Sequence, residues 1–258
     1  MNDTLTASAE AERAFSRSVL YKALSLGFLP PTSETMSRLC CEAIAETLGS
    51  AGATLDPNAE FNLCDLAHGL SRAQDADDVN ALSDRFAILF GHTAKGVVPP
   101  YETEYGKNAP FLQPQELSDI GGFYRAFGLT VSEAAHERVD HISCECEFLS
   151  FLSLKSAYAL EEELRDLLEE SERAHTFFLR DHLAKFAASF GHRLAREDPC
   201  GFYGKLGNLC VGLVRADCRR LGISSVPDNL PIREAVEDHT PMACDTCSDL
   251  ALETADDC

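Results

Sequence analysis

The chain has 258 residues, of which 45% are apolar, enough to bury a substantial core in one large domain or two small ones. Its charge balance is strongly acidic: 42 Asp and Glu residues against 22 Lys and Arg residues give a formal net charge of −20. Nucleic acids and anionic membrane surfaces are bound through cationic surfaces, so neither is an expected partner. A cationic partner suits this charge better.

The cysteine content and the N-terminus both indicate a cytoplasmic protein. The 11 cysteines are an odd number, and many lie within apolar helical patterns, which favours reduced thiols over a disulfide framework. The N-terminus shows no secretory signal, because the apolar run 19–29 is interrupted by Lys22 and ends at Pro30. No run approaches the ~18 apolar residues that span a bilayer, so we expect no membrane insertion.

Helical periodicity dominates the first 90 residues. Helices are predicted over 9–27, from near Ser33 to before Gly49, over 60–72 and over 77–90, with a loop over 49–58. Pro30 and Pro31 should stop the first helix, and Ser33 is the candidate cap of the second. This part of the sequence shows no strand-like alternation.

Residues 91–114 interrupt the helical pattern. They include four prolines and three glycines, so they cannot form one helix. Aromatic residues at positions 101, 105 and 111 argue against simple disorder, because aromatic side chains at this density usually pack against something. We therefore predict one long ordered loop, of a length that is often functional.

Helical patterns return over 116–127, 139–160, 171–196 and 202–221. The segment 139–160 is apolar over more than half its circumference, which predicts a helix that runs through the core. The predicted fold is all-α: a single globular bundle of about eight to ten helices over residues 1–232. Residues 233–258 carry eight acidic residues against one basic residue and form a predicted acidic, cysteine-containing tail.

Ionisable residues are concentrated at the start of segment 139–160, namely Asp140, His141, Glu145 and Glu147. An unpaired buried charge is expensive, so either the protein or a ligand must supply partners. In the structural interpretation, Asp140 lies near the positive end of the helix dipole and His141 is hydrogen-bonded inside. In the functional interpretation, this acidic and partly apolar region binds a peptide that is both cationic and apolar.

Patterns for catalysis are absent from the sequence. The histidines of the His136-Glu137 and His141 pattern are one residue too far apart for a zinc-protease motif, and there is no phosphate loop or nucleophile elbow. Cys144 and Cys146 are expected to be small core residues. We therefore predict that the protein is not an enzyme and requires no cofactor.

The tail offers the one metal-ligand pattern that we retain. Its C-x-x-C spacing suits zinc, and the four candidate ligands are His239, Cys244, Cys247 and Cys258. The alternative function is therefore a zinc-binding all-α protein, or a hydrolase that uses this cluster.

Two sequence elements resemble a known family. Pro99-Pro100-Tyr101-Glu102-Thr103, followed by the D-H-x3-E-x-E-F run of residues 140–148, resembles the Y-E-S-x-Y and D-H-x3-E-x-x-F elements of the TorD/DmsD/NarJ family. These are cytoplasmic chaperones of molybdenum-containing redox enzymes. The resemblance extends over approximately residues 12–222. This chain departs from the family at Val139, where proline is frequent, and at Thr103, where serine is usual.

The resemblance implies a chaperone that binds the twin-arginine leader, the apo form of a molybdoenzyme catalytic subunit, or both. It would support insertion of the molybdenum cofactor and prevent premature export, and the machinery that supplies the cofactor is a further implied partner. Arginine pairs bidentately with carboxylates, which fits such a leader. The expected peptide-binding residues are Tyr101, Glu102, Asp140, His141, Glu145, Glu147 and Phe148.

Overall fold

The structure is a computed structural model that describes residues 2–73, 78–91, 96–107, 112–131, 137–224 and 227–233. Its α-helices are α1 Asn2–Gly27, α2 Ser33–Ser37, α3 Glu42–Leu55, α4 Leu63–Ser71, α5 Val79–Phe90, α6 Gln113–Ala126, α7 Ile142–Glu161, α8 Arg165–Phe178, α9 Ala184–Glu197 and α10 Phe202–Leu221. Two isolated β-bridges join described residues, Tyr101 with His141 and Tyr105 with Ile232. The all-α prediction is confirmed.

The region of α2 and α3 differs from the prediction. Thr32, rather than Ser33, caps α2, with its hydroxyl accepting from the amide of Thr35 at 3.1 Å. The helix ends after five residues, and α3 then runs through the segment 49–58 as far as Leu55, where we predicted a loop. Gly52 is a packing residue there: a side chain on it would lie 2.7 Å from the carbonyl of Leu63 on α4. The glycine at position 52 allows α3 and α4 to pack closely, and it does not mark a reversal of the chain.

Helix α7 lies in the core, as its sequence predicts. Ile142, Leu149 and Leu152 are fully buried, and α7 packs along α1 on one side and against α8 on another. The helix begins at Ile142, so the two preceding residues that we placed in its first turn form the connection that enters it.

The described part of the chain contains no helix with the length and apolar character needed to cross a membrane.

The predicted helix over 171–196 is a continuous helical run from α8 to α9. A π-helical turn, Leu179–Leu183, joins the two, and it directs His182 into the protein interior, where the side chain is 3% exposed. Such single π turns inside helices are often found at functional sites.

The described part of the 91–114 loop is ordered and packs on the entry to α7. A short 3₁₀ turn, Glu102–Glu104, forms its centre. The amide of Ile142 donates to the carbonyl of Pro100 at 2.8 Å, and the amide of Gly106 donates to the carbonyl of Pro231 at 2.9 Å. The loop is therefore held between the start of α7 and the last described segment.

Arg233 lies at the boundary between the predicted domain and the predicted tail. Its amide donates to the carbonyl of Glu104 at 2.8 Å, and its guanidinium lies 3.3 Å from the carboxylate of Glu116. The chain thus packs on the bundle as far as residue 233, and residues 234–258 lie outside the described ranges.

Candidate peptide-binding site

Asp140 is fully buried in the turn that precedes α7. Arg138 donates to both of its oxygens, from Nε to Oδ1 at 3.0 Å and from Nη2 to Oδ2 at 2.8 Å. Oδ2 also accepts from the hydroxyl of Thr103 at 2.8 Å and from its amide at 3.2 Å. We expected this carboxylate to meet a ligand arginine, but the protein itself supplies the partners, and they connect the loop to α7.

His141 is the N-cap residue of α7. Its Nδ1 accepts from the amide of Ser143 at 3.2 Å and lies 2.7 Å from the Ser143 hydroxyl. Burial, and then the charge of Arg138, lower the pKa of His141 to about 4, so the ring is neutral at pH 7. Tyr101 forms a backbone bridge with His141 and a T-shaped ring contact at 5.3 Å. His141 therefore fixes the loop relative to the helix.

Glu145 and Glu102 are carboxyl groups enclosed beneath the loop. Glu145 is fully buried, and neither of its oxygens has a hydrogen-bond partner among the described residues. Burial, and then the nearby Glu102 and Asp140, raise the pKa of Glu145 well above its ordinary value, which favours the neutral acid. Glu102 is 9% exposed and lies 3.1 Å from Nδ1 of His182. Both carboxyl groups therefore lie below the protein surface.

Phe148 is a core residue. It is 2% exposed, and its ring packs against Phe178 at 4.8 Å, Tyr124 at 5.0 Å and Phe127 at 5.7 Å between centroids. It also lines a surface cavity, so it can form part of an apolar wall.

Tyr101 and Glu147 are the predicted site residues that remain accessible. Tyr101 is half-buried and donates to Glu137 at 3.4 Å, while the guanidinium of Arg138 lies 4.4 Å from its ring centroid. Burial, and then Glu137, raise the pKa of Tyr101 to about 12. Glu147 is exposed and forms an ion pair with Lys22 of α1 at 2.6 Å. The predicted residues are therefore divided between a buried group and a surface pair.

A cavity of about 390 Å³ opens beside α7 and the end of α6; we call it the acidic cavity. Its wall is mainly apolar, formed by Leu29, Tyr124, Leu129, Val131, Phe148 and Phe151. Glu137 and Glu147 also line it, and none of the described residues that line it is basic. Burial raises the pKa of Glu137, against the opposing effect of the Tyr101 hydrogen bond. A ligand that is both cationic and apolar would match this lining.

The roles of Arg138, Thr103, Glu137 and His182 were not predicted from the sequence. Arg138 had a local signal, since it precedes Asp140 by two residues and a turn brings such neighbours together. His182 had none, because it is 80 positions away from Glu102. A contact of that separation is created only by folding.

The predicted zinc ligands His239, Cys244, Cys247 and Cys258 lie outside the described residues, as does His136. Within the described ranges, no group of three or more His, Cys, Asp and Glu side chains is arranged to hold a metal ion. Cys146 is buried in the core and Cys144 packs against it, as expected. The zinc site stays a prediction, which a comparison of zinc content between the wild type and a Cys244→Ser, Cys247→Ser variant would test.

A family model described as the nitrate reductase delta subunit matches residues 42–191, more than half of the chain. The chain belongs to this family. The matched residues include the 101–105 loop, the entry to α7 and the π turn.

Named relatives agree with this membership in the TorD/NarJ family. The chaperone protein TorD of Vibrio atlanticus is 28% identical over 157 residues, which are 60% of this chain and 72% of the relative. The selenate reductase assembly chaperone protein of Thauera selenatis is 36% identical over 129 residues, 50% of this chain and 63% of the relative. The perchlorate reductase assembly chaperone protein of Dechloromonas aromatica is 38% identical over 71 residues, 28% of this chain and 31% of the relative.

The predicted membership in the TorD/DmsD/NarJ family is thereby confirmed, and this member is a redox-enzyme maturation chaperone. Its relatives are named as chaperones and not as catalysts, which supports the prediction of a chaperone over that of a hydrolase.

Proposed function

We propose that this chaperone binds the twin-arginine leader of a molybdoenzyme catalytic subunit at the acidic cavity. It acts in the cytoplasm, where it holds the subunit until the molybdenum cofactor is inserted and delays export until then. The cofactor belongs to the client in this proposal, and the chaperone has none of its own. The machinery that delivers the cofactor is then a further partner.

The observation that carries the proposal is the lining of the acidic cavity. Two carboxylates, Glu137 and Glu147, lie at a hollow whose other walls are mainly apolar. A guanidinium can donate two parallel hydrogen bonds to one carboxylate, which a lysine ammonium cannot. A segment with adjacent arginines followed by apolar residues would place its arginines against these carboxylates and its apolar side chains against the apolar wall.

Glu137 is the better placed of the two carboxylates for a strong interaction. It is partly buried, and its pKa is raised because burial disfavours the charged form. A ligand arginine would supply the missing counter-charge in a region of reduced solvent screening. The Tyr101 hydroxyl donates to Glu137 over 3.4 Å, which is long for a hydrogen bond between two oxygens. A closer donor would therefore bind this carboxylate more strongly.

The buried residues of the predicted site have a positioning role in this proposal. Asp140 and His141 join the loop to α7, and Glu102 with Glu145 lie beneath that junction. They hold Tyr101 and Glu137 in place without touching the peptide. Phe148 forms part of the apolar wall of the acidic cavity.

Calorimetric titration with a synthetic twin-arginine leader tests the proposal. We expect micromolar or tighter binding that weakens in salt, because the contacts are between charges near the surface. Changing both leader arginines to alanine should weaken binding by about tenfold or more, since a hydrogen bond to a charged group contributes about 1.5–3 kcal/mol.

Variants of the chaperone locate the contact. Glu137→Gln and Glu147→Gln should each weaken binding of the leader and have little effect on the arginine-free peptide. Glu169→Gln is the matched control, because Glu169 is an exposed acid of α8 that does not line the acidic cavity. Equal binding of the two peptides by the wild type would contradict arginine recognition.

A further inference from the structure

A second groove, larger than the acidic cavity, lies on another flank of α7, between α7, α1 and α3; we call it the apolar groove. Its volume is about 690 Å³, and its apolar lining includes Val19, Leu26, Leu39, Ile44, Phe151 and Leu154. Phe15 and Leu154 line it while remaining 54% and 49% exposed. Large apolar side chains that stay exposed together along a groove are typical of binding surfaces.

The apolar groove and the acidic cavity meet on α7. Glu147 and Phe151 line both of them. These residues are four positions apart and therefore lie on the same face of the helix, one turn from each other. A peptide can thus pass from one hollow to the other across this single turn of α7.

An ion pair lies where the acidic cavity and the apolar groove meet. Lys22 of α1 donates to Glu147 at 2.6 Å, and the two side chains are 41% and 60% exposed. Exposed pairs of this type contribute little to stability, so a ligand can replace the lysine at a small energetic cost. A guanidinium, with its planar pair of donors, is a better partner for the Glu147 carboxylate than the ammonium that is there now.

The acidic cavity and the apolar groove differ in charge, and this difference favours a different part of the leader in each. The acidic cavity is lined by Glu137 and Glu147 without a basic residue among those described. The apolar groove has Lys22 and Arg38 in its lining against the shared Glu147. Arginines are therefore attracted to the first hollow and repelled from the second, where an uncharged apolar segment meets no such penalty.

From this geometry we propose that the apolar groove holds the apolar segment that follows the two arginines of the leader. The arginines lie at Glu137 and Glu147, one of them replaces Lys22 on Glu147, and the chain then crosses Phe151 into the groove between α1, α3 and α7. This inference rests on the proposed function and gives the bound peptide a direction across α7.

Titration with two peptides separates this inference from the proposed function. One peptide is the full leader, and the other ends directly after the two arginines. Phe15→Ser and Leu154→Ser should each weaken the full leader at least fivefold and leave the short peptide unchanged. Both residues are about half exposed, so the substitutions spare the core. Ile88→Ser is the matched control, because Ile88 is 57% exposed on α5 and does not line the apolar groove.

Lys22→Ala tests the exchange of partners at the junction. It removes the competing ammonium, so the full leader should bind about two- to fivefold more tightly, whereas Glu147→Gln should weaken binding of the leader.

A photo-reactive residue in the apolar segment of the leader should crosslink to α1, α3 or α7, and one beside the arginines should crosslink near Glu137.

Arginine-dependent binding that is unaffected by Phe15→Ser and Leu154→Ser would overturn the groove assignment and leave the proposed function standing. No arginine-dependent binding by the wild type would overturn both. A change from dimer to monomer in sedimentation of the two groove variants would show that a second copy of the chain occupies the groove, which also overturns the assignment.

Discussion

Asp140 and Glu147 are acidic residues seven positions apart that have opposite surroundings. Asp140 is fully buried, and Arg138 and Thr103 satisfy its oxygens, whereas Glu147 is exposed and holds one lysine. A buried carboxylate with internal donors stabilises the fold, and removing it leaves those donors unpaired. An exposed carboxylate with one exchangeable partner remains able to bind a ligand. At the scale of single residues, the donors around a carboxylate decide its role.

His141 makes stability depend on pH in a predictable direction. Its pKa is lowered from 6.5 to about 4, so the folded protein resists protonation that the unfolded chain accepts. The contribution of His141 is complete above about pH 6.5 and is lost as the pH falls toward 4, by about 3 kcal/mol in total. In His141→Asn, an amide oxygen can cap α7 without titrating. The difference in unfolding free energy between wild type and variant should therefore shrink with acidity.

Urea unfolding at several pH values between 4 and 8 measures this difference. Ser143→Ala is the control, since it removes the hydroxyl near Nδ1 but keeps the imidazole. It should lower stability at every pH and retain the pH dependence of the wild type. A constant difference between wild type and His141→Asn would mean that His141 titrates as in the unfolded chain.

Helices α9 and α10 approach each other through paired glycines. A side chain on Gly191 would lie 2.5 Å from the carbonyl oxygen of Gly207, and one on Gly207 would lie 2.6 Å from the carbonyl oxygen of Gly191. Because backbone atoms cannot move aside as a flexible side chain can, the two helices would have to separate. The contact between α9 and α10 therefore depends on both positions.

Gly191→Ala should lower the free energy of unfolding by about 1–3 kcal/mol through overpacking. Gly122→Ala is the opposite case, since Gly122 is within α6 and its added methyl would meet nothing within 4 Å. It should raise stability by about 0.5–1 kcal/mol, because alanine favours the helix more than glycine does. Chemical denaturation of both variants gives the comparison, and equal effects would refute the close approach.

At the scale of the whole molecule, a buried polar centre ties distant helices together around Asp217 of α10. Its oxygens are contacted by the Tyr21 hydroxyl at 3.0 Å, His175 Nε2 at 2.5 Å, Arg17 Nε at 3.1 Å and Arg220 Nε at 2.9 Å. Burial opposes ionisation, but His175, Arg17 and Arg220 hold the pKa of Asp217 well below its usual range. One carboxylate thus joins α1, α8 and α10.

Asp217→Asn should lower the free energy of unfolding by about 3–5 kcal/mol, because it leaves the buried Arg17 guanidinium without its counter-charge. Asp228→Asn is the control: its partner Arg215 is at 2.5 Å, but the two side chains are 62% and 38% exposed. That change should cost at most about 1 kcal/mol. Thermal or urea unfolding distinguishes the two, and similar losses would mean that the buried centre contributes no more than a surface pair.

Much of the architecture follows from the sequence alone. The apolar period that predicts α7 and α10 is local, as are the proline stop after α1 and the loop-forming residues of 91–114. The boundary of α3 was predicted wrongly because a glycine in a sequence can indicate either a turn or a close helix contact. Only the presence of α4 beside Gly52 decides between them.

The candidate site depends more on tertiary structure. The sequence identified the acidic and aromatic residues of the loop and of α7, and it placed the chain in its family. It could not separate the buried carboxylates from the surface ones, because burial of Asp140 and Glu145 is produced by Thr103, Arg138 and the packed helices around them. The sequence thus determined which residues are present at the entry to α7. Folding decided their roles, because the partners of a charge come from distant parts of the chain.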